Sequence, residues 1–306
     1  MKIVFFGTPY FAAEILGYLF EQGVSIAAIV TQPDRPKGRA LQLAPSPVKS
    51  VALEKAPHIP ILQPEKASNE AFLAELTALK ADLFVVVAYG QILSQKLLDI
   101  PPLGSINVHP SLLPKFRGAA PIHRTLMEGE TETGVAIQKI VRQLDAGDVI
   151  AVAKFEIPID MTFGELEAKL CEIAKPLLLS VLQKGIPLGT PQDHNSATYA
   201  SKIELEEGEI DWTLDSKYLH NLIRAFSPRP GAWCWVQSGP EKKRLKVLRA
   251  QWLPSLKGKP GEILSPSDAV VACGEGALKL LQVQPEGKKA MGGADWLRGQ
   301  KSIIFN

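Results

Sequence analysis

The residues best suited to chemistry lie in the stretch 104–118, where Asn107 and His109 alternate with Ile106 and Val108. Side chains two residues apart on a strand share a face, so this spacing places the amide beside the imidazole. If the strand is the central one of a parallel sheet, its carboxyl end opens into the crevice where α/β proteins bind ligands. We therefore expect a site here, in preference to a turn cap and a core histidine.

Carboxylates that could complete such a site follow a predicted strand at 133–140. Asp145 and Asp148 lie in a glycine-containing loop. A carboxylate beside an imidazole raises its basicity and fixes its orientation. Aspartate also stabilises turns, and we expect Asp148 to do so while Asp145 meets His109. A zinc site is not expected, because zinc needs three or four ligands and this pair supplies two.

The elements that must position these side chains alternate between strands and helices. Predicted strands lie at 2–6, 25–30 and 83–87, with helical segments between them. This alternation predicts an α/β fold with a doubly wound, mostly parallel, Rossmann-like sheet. The first loop contains Gly7 alone, where a dinucleotide fingerprint needs three glycines, so an NAD site is not expected.

A polar segment rich in Pro and Gly is predicted to join two domains. This linker covers 189–206 and separates a catalytic domain at 1–188 from a smaller domain at 207–306. A helix capped by Asp215 opens the smaller domain. Five short predicted strands follow, separated by Gly, Pro and Ser, which is typical of a small OB-like β-barrel.

Charge is distributed unevenly between the two ends of the chain. Residues 216–306 contain 15 Lys and Arg against 6 Asp and Glu, a net charge of +9, whereas residues 1–215 carry 19 against 26, a net charge of −7. A basic domain joined to an acidic one indicates a polyanionic partner, most commonly nucleic acid. A solvated, lysine-rich surface is the alternative.

Two loops of the first domain are predicted to face the crevice. The loop 31–47 is long for a connection within an α/β domain. Its cationic residues are Arg35, Lys37 and Arg39. They could contact a phosphate backbone, although a disordered insertion has the same composition. Tyr89 and Gly90, after the third predicted strand, could line a slot for a flat heterocycle, with ordinary packing as the alternative.

Composition limits the class of protein. No apolar run approaches the roughly 18 residues of a membrane span, and the N-terminal run is too short for a signal peptide. We expect a cytoplasmic monomer that does not bind membranes. Its three cysteines lack paired spacing, which argues against a disulfide framework and a Cys-x-x-Cys metal site.

The chain resembles the folate-dependent formyltransferases over nearly its whole length. The motifs that carry the resemblance are Phe6-Gly-Thr-Pro9, Thr31-Gln-Pro-Asp-Arg-Pro36, Val87-Ala-Tyr-Gly90, Asn107-Val-His109, Ser111-Leu-Leu-Pro114, Arg117-Gly-Ala-Ala-Pro121, Leu144-Asp-Ala-Gly-Asp148, Ile210-Asp-Trp212 and Arg224-Ala-Phe226. The Asn-x-His and Asp-x-Gly-Asp elements are shared across that family. The proline-rich loop and the C-terminal motifs are similar to its tRNA-directed branch.

The resemblance implies an enzyme of translation initiation. Such an enzyme transfers a formyl group from 10-formyltetrahydrofolate to the α-amino group of initiator methionyl-tRNA, by direct attack and without a metal. It implies that Asn107, His109 and Asp145 are catalytic. The implied folate-binding residues are Ser111, Leu112, Leu113, Pro114, Tyr89 and Gly90. The resemblance also implies that Arg39 meets the tRNA acceptor end. The other residues expected to bind tRNA, on account of their charge, are Arg35, Lys37, Lys242 and Lys243.

Two other functions stay open at this point. A formyltransferase for a small amine, such as a nucleotide sugar or glycinamide ribonucleotide, or a folate deformylase, would leave the basic C-terminal third unexplained. A non-catalytic RNA-binding module with a degenerate Rossmann domain would use His109 for RNA affinity alone. A steep fall of turnover with salt would argue against the small-amine enzymes. Formyl transfer by the protein would argue against the non-catalytic RNA-binding module.

Overall fold

The computed structural model describes residues 1–37, 42–238, 241–300 and 303–305. The chain forms two compact units. The first unit comprises residues 1–118, 133–155 and 167–199, and the second comprises 119–132, 156–166 and 200–306. The chain thus contributes two short internal segments to the second unit. The sequence-based division into 1–188, 189–206 and 207–306 stays a prediction.

A seven-stranded sheet organises the first unit. Its strands are β1 (Ile3–Gly7), β2 (Ile26–Val30), β5 (Ile61–Leu62), β6 (Leu83–Val87), β7 (Ser105–His109), β9 (Glu132–Lys139) and β10 (Val149–Glu156). They lie in the order β10-β9-β7-β6-β1-β2-β5. The pairs from β5 through β7 are parallel, whereas β9 is antiparallel to β7. The predicted mostly parallel, Rossmann-like sheet is confirmed.

The strand that carries Asn107 and His109, β7, is not the central strand of the sheet. β6 occupies the centre, and β7 is the last strand of the parallel set. The neighbour of β7 on its far side is the antiparallel β9. Because β9 and β10 extend the sheet beyond β7, β7 lies inside the sheet and not at its edge.

Short hairpin and bridging strands complete the first unit and its borders. They are β3 (Arg35–Lys37), β4 (Gln42–Ala44), β8 (Arg117–Gly118) and β11 (Tyr199–Ala200). β3 and β4 pair as an antiparallel hairpin inside the predicted long loop. That loop therefore has regular structure at both of its described ends.

The helices differ in whether a side chain caps their first turn. They are α1 (Tyr10–Glu21), α2 (Pro47–Lys55), α3 (Glu70–Ala78), α4 (Gln95–Leu98), α5 (Pro121–Met127), α6 (Phe163–Lys184), α7 (Ser216–Phe226) and α8 (Gly293–Arg298), with 3₁₀ turns at His194–Ser196 and Leu205–Gly208. Ser46 and Asn69 accept hydrogen bonds from the first turns of α2 and α3. Asp215 accepts from the amides of Lys217 and Tyr218, which confirms the predicted cap of α7.

The core of the first unit follows from strands that are apolar on both faces. All five residues of β1 and all five of β6 are buried, as expected when helices cover both sides of a parallel sheet. Gly7 ends β1 where a Cβ would lie 2.7 Å from the Cβ of Ala12 and 3.0 Å from the carbonyl oxygen of Val87. Close packing, rather than a phosphate cradle, requires glycine at this position.

An antiparallel sheet organises the second unit. Its strands are β12 (Ala232–Ser238), β13 (Glu241–Leu253), β14 (Ile263–Ser265), β15 (Val270–Ala272), β16 (Ala277–Pro285), β17 (Met291–Gly292) and β18 (Ile304–Phe305). The order is β14-β15-β16-β13-β12-β18, and β17 pairs with β16. A Cβ on Gly261, just before β14, would lie 2.6 Å from the carbonyl oxygen of Phe305 in β18. The two edges therefore approach each other, and the sheet curls into the predicted barrel-like form.

The second unit contains a histidine whose protonation opposes folding. The ring of His123 stacks on Phe163 with centroids 3.8 Å apart. Burial, with the nearby Arg124 guanidinium as the second cause, lowers the pKa of His123 to about 4. In the unfolded chain histidine titrates near pH 6.5.

We expect the free energy of unfolding to fall as the pH falls from 7 to 5. Over this interval His123 is protonated in the unfolded chain but stays neutral in the folded protein. The loss attributable to this group is about 1 to 2 kcal/mol, allowing for its partial exposure. Urea unfolding at several pH values measures it in the parent and in His123→Leu. The variant should lose less stability over that interval, and equal losses in both proteins would contradict the assignment.

Candidate active site

Strand β7 presents one polar face and one apolar face. Ile106 and Val108 are buried in the core, while Ser105, Asn107 and His109 point to the other side. His109 is buried at the end of the strand, and Asn107 is half-buried. Strand β7 therefore places the Asn107 amide and the His109 imidazole on one face, as the sequence predicted.

The antiparallel strand β9 adds a side chain that the sequence did not reveal. Asn107 lies directly opposite Gln138 in the β7–β9 register, and His109 lies opposite Ala136. Directly opposed residues of neighbouring strands project to the same face. Gln138 is a buried polar residue in an otherwise apolar stretch of β9, and that pattern is the one signal that could have identified it.

The carboxylate of Asp145 is the point on which these side chains meet. Its Oδ1 accepts from Gln138 Nε2 at 2.8 Å and from Asn107 Nδ2 at 3.3 Å. Its Oδ2 accepts from the backbone N–H of Gly118 at 2.9 Å and lies 3.7 Å from His109 Nδ1. The structure therefore brings together the three residues predicted to be catalytic.

The imidazole of His109 is oriented by the backbone rather than by the carboxylate. Its Nε2 lies 2.8 Å from the carbonyl oxygen of Phe116. A carbonyl oxygen only accepts, so Nε2 carries the proton and Nδ1 faces Asp145. The distance of 3.7 Å from Nδ1 to Asp145 is ion-pair range and too long for a hydrogen bond. The expectation that Asp145 fixes the ring needs this correction.

Two residues of the site, Phe116 and Asp145, have left-handed backbones although they carry side chains. Phe116, whose carbonyl holds the imidazole, has φ of +60°, and Asp145 has φ of +46°. Such conformations cost about 1–3 kcal/mol each and persist where surrounding contacts impose them. Both lie directly at the site, so the geometry of the site is maintained at some cost to the stability of the fold.

A buried network behind Asp145 involves residues that were not predicted to act in the site. Arg117 donates through Nε and Nη2 to Gln192 Oε1 at 3.1 and 2.7 Å. Gln192 Nε2 lies 2.9 Å from the carbonyl oxygen of Asp145 and 2.7 Å from that of Gly147. Gln192 belongs to the segment predicted as a linker, and no local pattern in the sequence distinguishes it.

The turn after β7 contains four of the predicted folate-binding residues. Ser111 is fully buried, and its hydroxyl donates to the carbonyl oxygen of Lys115 at 2.7 Å. Leu112, Leu113 and Pro114 are partly buried. Ser111 therefore stabilises the turn, which leaves the three following residues to offer apolar surface. Their role in folate binding stays a prediction.

The loop after β6 contains the other two predicted folate-binding residues, Tyr89 and Gly90. The ring of Tyr89 is buried and packs edge-on against Phe6 with centroids 5.5 Å apart, and burial raises the pKa of its hydroxyl to about 12. The Tyr89 carbonyl accepts from Thr8 Oγ1 and Gln32 Nε2. Gly90 is exposed with φ of +88°. The loop's backbone, and not the tyrosine ring, is thus what remains to contact a ligand.

The cations predicted to bind tRNA lie in separate parts of the chain. Arg35 is exposed and pairs with Glu65 at 3.1 Å. Lys37 ends β3, and its side chain falls outside the described residues, as does the whole of Arg39. Lys242 and Lys243 are exposed on β13. Their contacts with RNA stay predictions.

Beside these two lysines, β12 and β13 carry a basic and aromatic face. Trp235 pairs with Arg244 in register, and Gln237 pairs with Lys242. The Arg244 guanidinium lies 3.8 Å from the ring centroid of Trp233, and Lys242 Nζ lies 4.9 Å from that of Trp235. Contact with an aromatic ring holds a cation at a fixed place on the surface. We call this set the β12–β13 basic face.

Searches for other kinds of site gave negative results within the described ranges. There, no group of three or more His, Cys, Asp or Glu side chains is placed to hold a metal ion. None of the helices in the same ranges combines the length and apolar character needed to cross a membrane.

Comparison with known proteins gives the family. A model of the formyl transferase family matches residues 1–182, and a model of the formyl transferase C-terminal domain matches residues 202–301. The methionyl-tRNA formyltransferase of Protochlamydia amoebophila (strain UWE25) is 48% identical over 98% of this chain and 95% of its own length.

Solved structures share the fold at lower identity. HypX from Aquifex aeolicus, in complex with tetrahydrofolic acid, superposes on this chain with a TM-score of 0.64 at 20% identity. The match covers 97% of this chain and 47% of HypX, so the chain spans about half of that protein. The methionyl-tRNA formyltransferase from Clostridium thermocellum matches 82% of this chain and 93% of its own, with a TM-score of 0.57 at 15% identity. With matches to both family models and a relative of nearly half identical sequence, the chain belongs to the formyl transferase family of enzymes.

Proposed function

We propose that this enzyme transfers the formyl group of 10-formyltetrahydrofolate to the α-amino group of initiator methionyl-tRNA, as a cytoplasmic monomer in translation initiation. The observation that carries the proposal is the convergence of the Asn107 amide and the His109 imidazole on the Asp145 carboxylate. The name of the Protochlamydia relative and the basic C-terminal third support the choice of tRNA as acceptor.

Asn107 is the residue that stabilises developing charge. Attack of an amine on a formyl carbon gives a tetrahedral intermediate whose oxygen becomes negative, and a positioned donor lowers its energy. One N–H of Asn107 is directed to Asp145, and this bond fixes the plane of the amide. The second N–H has no partner within the described part of the chain and is available to that oxygen. The donor keeps its hydrogen at any physiological pH.

His109 is the residue that moves the proton. The attacking amine must lose a proton, and the departing N10 of the folate must gain one. Because Nε2 is held by Phe116, Nδ1 is the nitrogen that accepts. Nδ1 lies 3.7 Å from Asp145 Oδ2, so an imidazolium formed during the transfer faces the carboxylate. The carboxylate thus orients the amide and stabilises the transient imidazolium.

Direct transfer without a covalent enzyme intermediate agrees with the state of the thiols. All three cysteines are buried. Burial raises the pKa of Cys171 to about 11 and the pKa values of Cys234 and Cys273 to about 12. Thiolate is the nucleophilic form, so none of these residues is activated for attack.

The second unit is proposed to hold the tRNA. The β12–β13 basic face, which includes Lys242, offers cations already fixed by aromatic contacts. Lys243, the next residue of β13, adds an exposed cation beside it. Phosphate contacts of this kind position a nucleic acid without reading its sequence. Arg39 is proposed to meet the acceptor end.

Incubation with both substrates tests the function directly. With 10-formyltetrahydrofolate and methionine-charged tRNA, we expect formylation of the initiator species in preference to the elongator species. Absence of formyl-methionyl-tRNA would reject the proposal. Turnover of a small amine without tRNA, or loss of the formyl group to water, would favour the alternative enzymes.

Replacement of Asn107 should affect chemistry more than binding. We expect Asn107→Ala to lower kcat by about 10²-fold to 10³-fold, the usual cost of one oxyanion donor, with little change in KM. Ser105→Ala is the matched control, because Ser105 lies two residues earlier on the same face and its buried hydroxyl has no hydrogen-bond partner. Equal rates for the Asn107 variant and the control would remove the amide from the mechanism.

Replacement of the two β13 lysines should affect binding more than chemistry. We expect Lys242→Ala with Lys243→Ala to raise the KM for methionyl-tRNA and to lower the slope of log KM against log salt by about 1 for each lost phosphate contact. The kcat at saturating tRNA should be unchanged. Lys96→Ala is the control, since Lys96 is exposed in the first unit and pairs with Glu70. An unaltered salt slope in the double variant would place the RNA elsewhere.

A further inference from the structure

We propose that Gln192 and Arg117 are positioning residues for formyl transfer, which hold the loop of Asp145 so that its carboxylate can orient Asn107 and face His109. The chemical part of this inference rests on the proposed function, whereas the structural part does not. No hydrogen bond of either residue reaches the side chains of Asn107, His109 or Asp145. Any effect they have on the rate must pass through the loop backbone or through the side chain of Gln138.

The orientation of the Gln192 amide follows from its neighbours. The Arg117 guanidinium only donates, and it contacts one end of the amide at 2.7 and 3.1 Å. The opposite end lies near two backbone carbonyl oxygens, which only accept. The oxygen must therefore face Arg117 and the NH₂ must face the loop. The reverse orientation would oppose donors to donors and acceptors to acceptors.

The NH₂ group of Gln192 closes the loop that carries Asp145. It lies 2.9 Å from the carbonyl oxygen of Asp145, 2.7 Å from that of Gly147 and 3.1 Å from Gln138 Oε1. One amide thus joins two positions of the loop to a strand. This is the arrangement expected of a clamp, because release of either carbonyl would free the backbone between them.

Asp145 needs such a clamp because its backbone is strained. Its φ of +46° lies in the region that residues with a Cβ avoid. Gly147 is packed so closely that a Cβ there would lie 1.9 Å from the carbonyl oxygen of Lys139. The loop therefore packs against the end of β9 at Gly147 and has an unfavourable backbone conformation at Asp145. Without the amide, the backbone at Asp145 has a lower-energy alternative.

A second path through the same amide reaches the carboxylate. Arg117 donates to Gln192, Gln192 donates to Gln138, and Gln138 Nε2 donates to Asp145 Oδ1 at 2.8 Å. Every bond in this chain runs in the same direction, from the guanidinium to the carboxylate. Aligned hydrogen bonds polarise one another, so the buried guanidinium strengthens the bond that holds Oδ1.

Burial makes the network sensitive to the loss of one member. Arg117 is 1% exposed and Gln192 is 7% exposed, so water does not readily replace a missing partner. Arg117 Nη2 also lies 3.1 Å from Nδ1 of the exposed His194. Gln192 is consequently the only neighbour, among the residues described, that links the Arg117 guanidinium to the loop.

Hydrogen exchange tests the structural part. We expect Gln192→Met, which keeps the length and loses the amide, to accelerate exchange of the backbone amides at 144–147 by about tenfold or more. Asn69→Ala is the control, because it removes the α3 cap in the same unit and should leave exchange at 144–147 unchanged. Gln192→Glu keeps the acceptor for Arg117 and serves if the methionine variant does not fold. Unchanged exchange at 144–147 would overturn the clamp.

Kinetics test the chemical part. Displacement of a reacting group by about 1 Å costs on the order of 10²-fold, so we expect Gln192→Met and Arg117→Met each to lower kcat by about 10-fold to 100-fold with KM nearly unchanged. The control Asn69→Ala should keep the parent's kcat. A parent-like kcat in the Gln192 variant would overturn the inference.

A combined variant separates positioning from a general structural role. In an Asp145→Asn background, Gln192→Met should lower the residual kcat by less than about twofold, because residues that act through one another are not additive. A full further loss would show that Gln192 acts independently of Asp145. If the parent forms no formyl-methionyl-tRNA, the proposed function fails while the exchange experiment still decides the clamp.

Discussion

A nearly buried carboxylate must be surrounded by donors, and the site is arranged to meet this requirement for Asp145. Transfer of such a group out of water is costly unless hydrogen bonds replace its hydration. Its partners come from three separate places: the side chains of β7 and β9, and the backbone amide of Gly118. Correct pairing of β7 with β9 is therefore a condition for satisfying the charge. The same contacts that stabilise the fold also orient the Asn107 amide, for which we propose a role in the reaction.

Under the proposed function, the two units divide the requirements of the reaction between them. The first unit holds a few side chains at fixed distances, and it does so on strands β7 and β9, most of whose residues are buried. The second unit presents charge on an antiparallel sheet, where one face can be exposed to solvent. A large polyanion needs many weak contacts over a wide area, whereas the formyl carbon needs a few exact ones. The opposite net charges of the two ends of the sequence reflect this division.

Local patterns in the sequence predicted those features that depend on neighbouring residues. The alternation of Asn107 and His109, the cap at Asp215 and the curled antiparallel sheet were all accessible in this way. Features that depend on register or on distant contacts were not. Gln138 became part of the site only because β9 adds antiparallel to β7, and Gln192 because a segment far along the chain returns to Asp145.

Other differences have the same physical origin. The expectation for Tyr89 assumed that an aromatic side chain next to a crevice faces it, but packing against Phe6 is available on the other side. The expectation for His109 assumed that a carboxylate is the partner of choice, but a carbonyl oxygen lies closer. In each case the residue type indicated a site nearby. The contact that orients the side chain, with Phe6 for Tyr89 and with the Phe116 carbonyl for His109, depends on the folded structure.

The position of Gln192 and Thr198 has a consequence for how this enzyme can be shortened. Thr198 accepts from the Arg117 amide through its carbonyl and from the Phe116 amide through its hydroxyl. The family match of the N-terminal region ends at residue 182, before either residue. A truncated catalytic fragment ending there would retain Asn107, His109 and Asp145 and yet lack the segment that braces them. A fragment of this chain that keeps these contacts has to extend at least through Thr198.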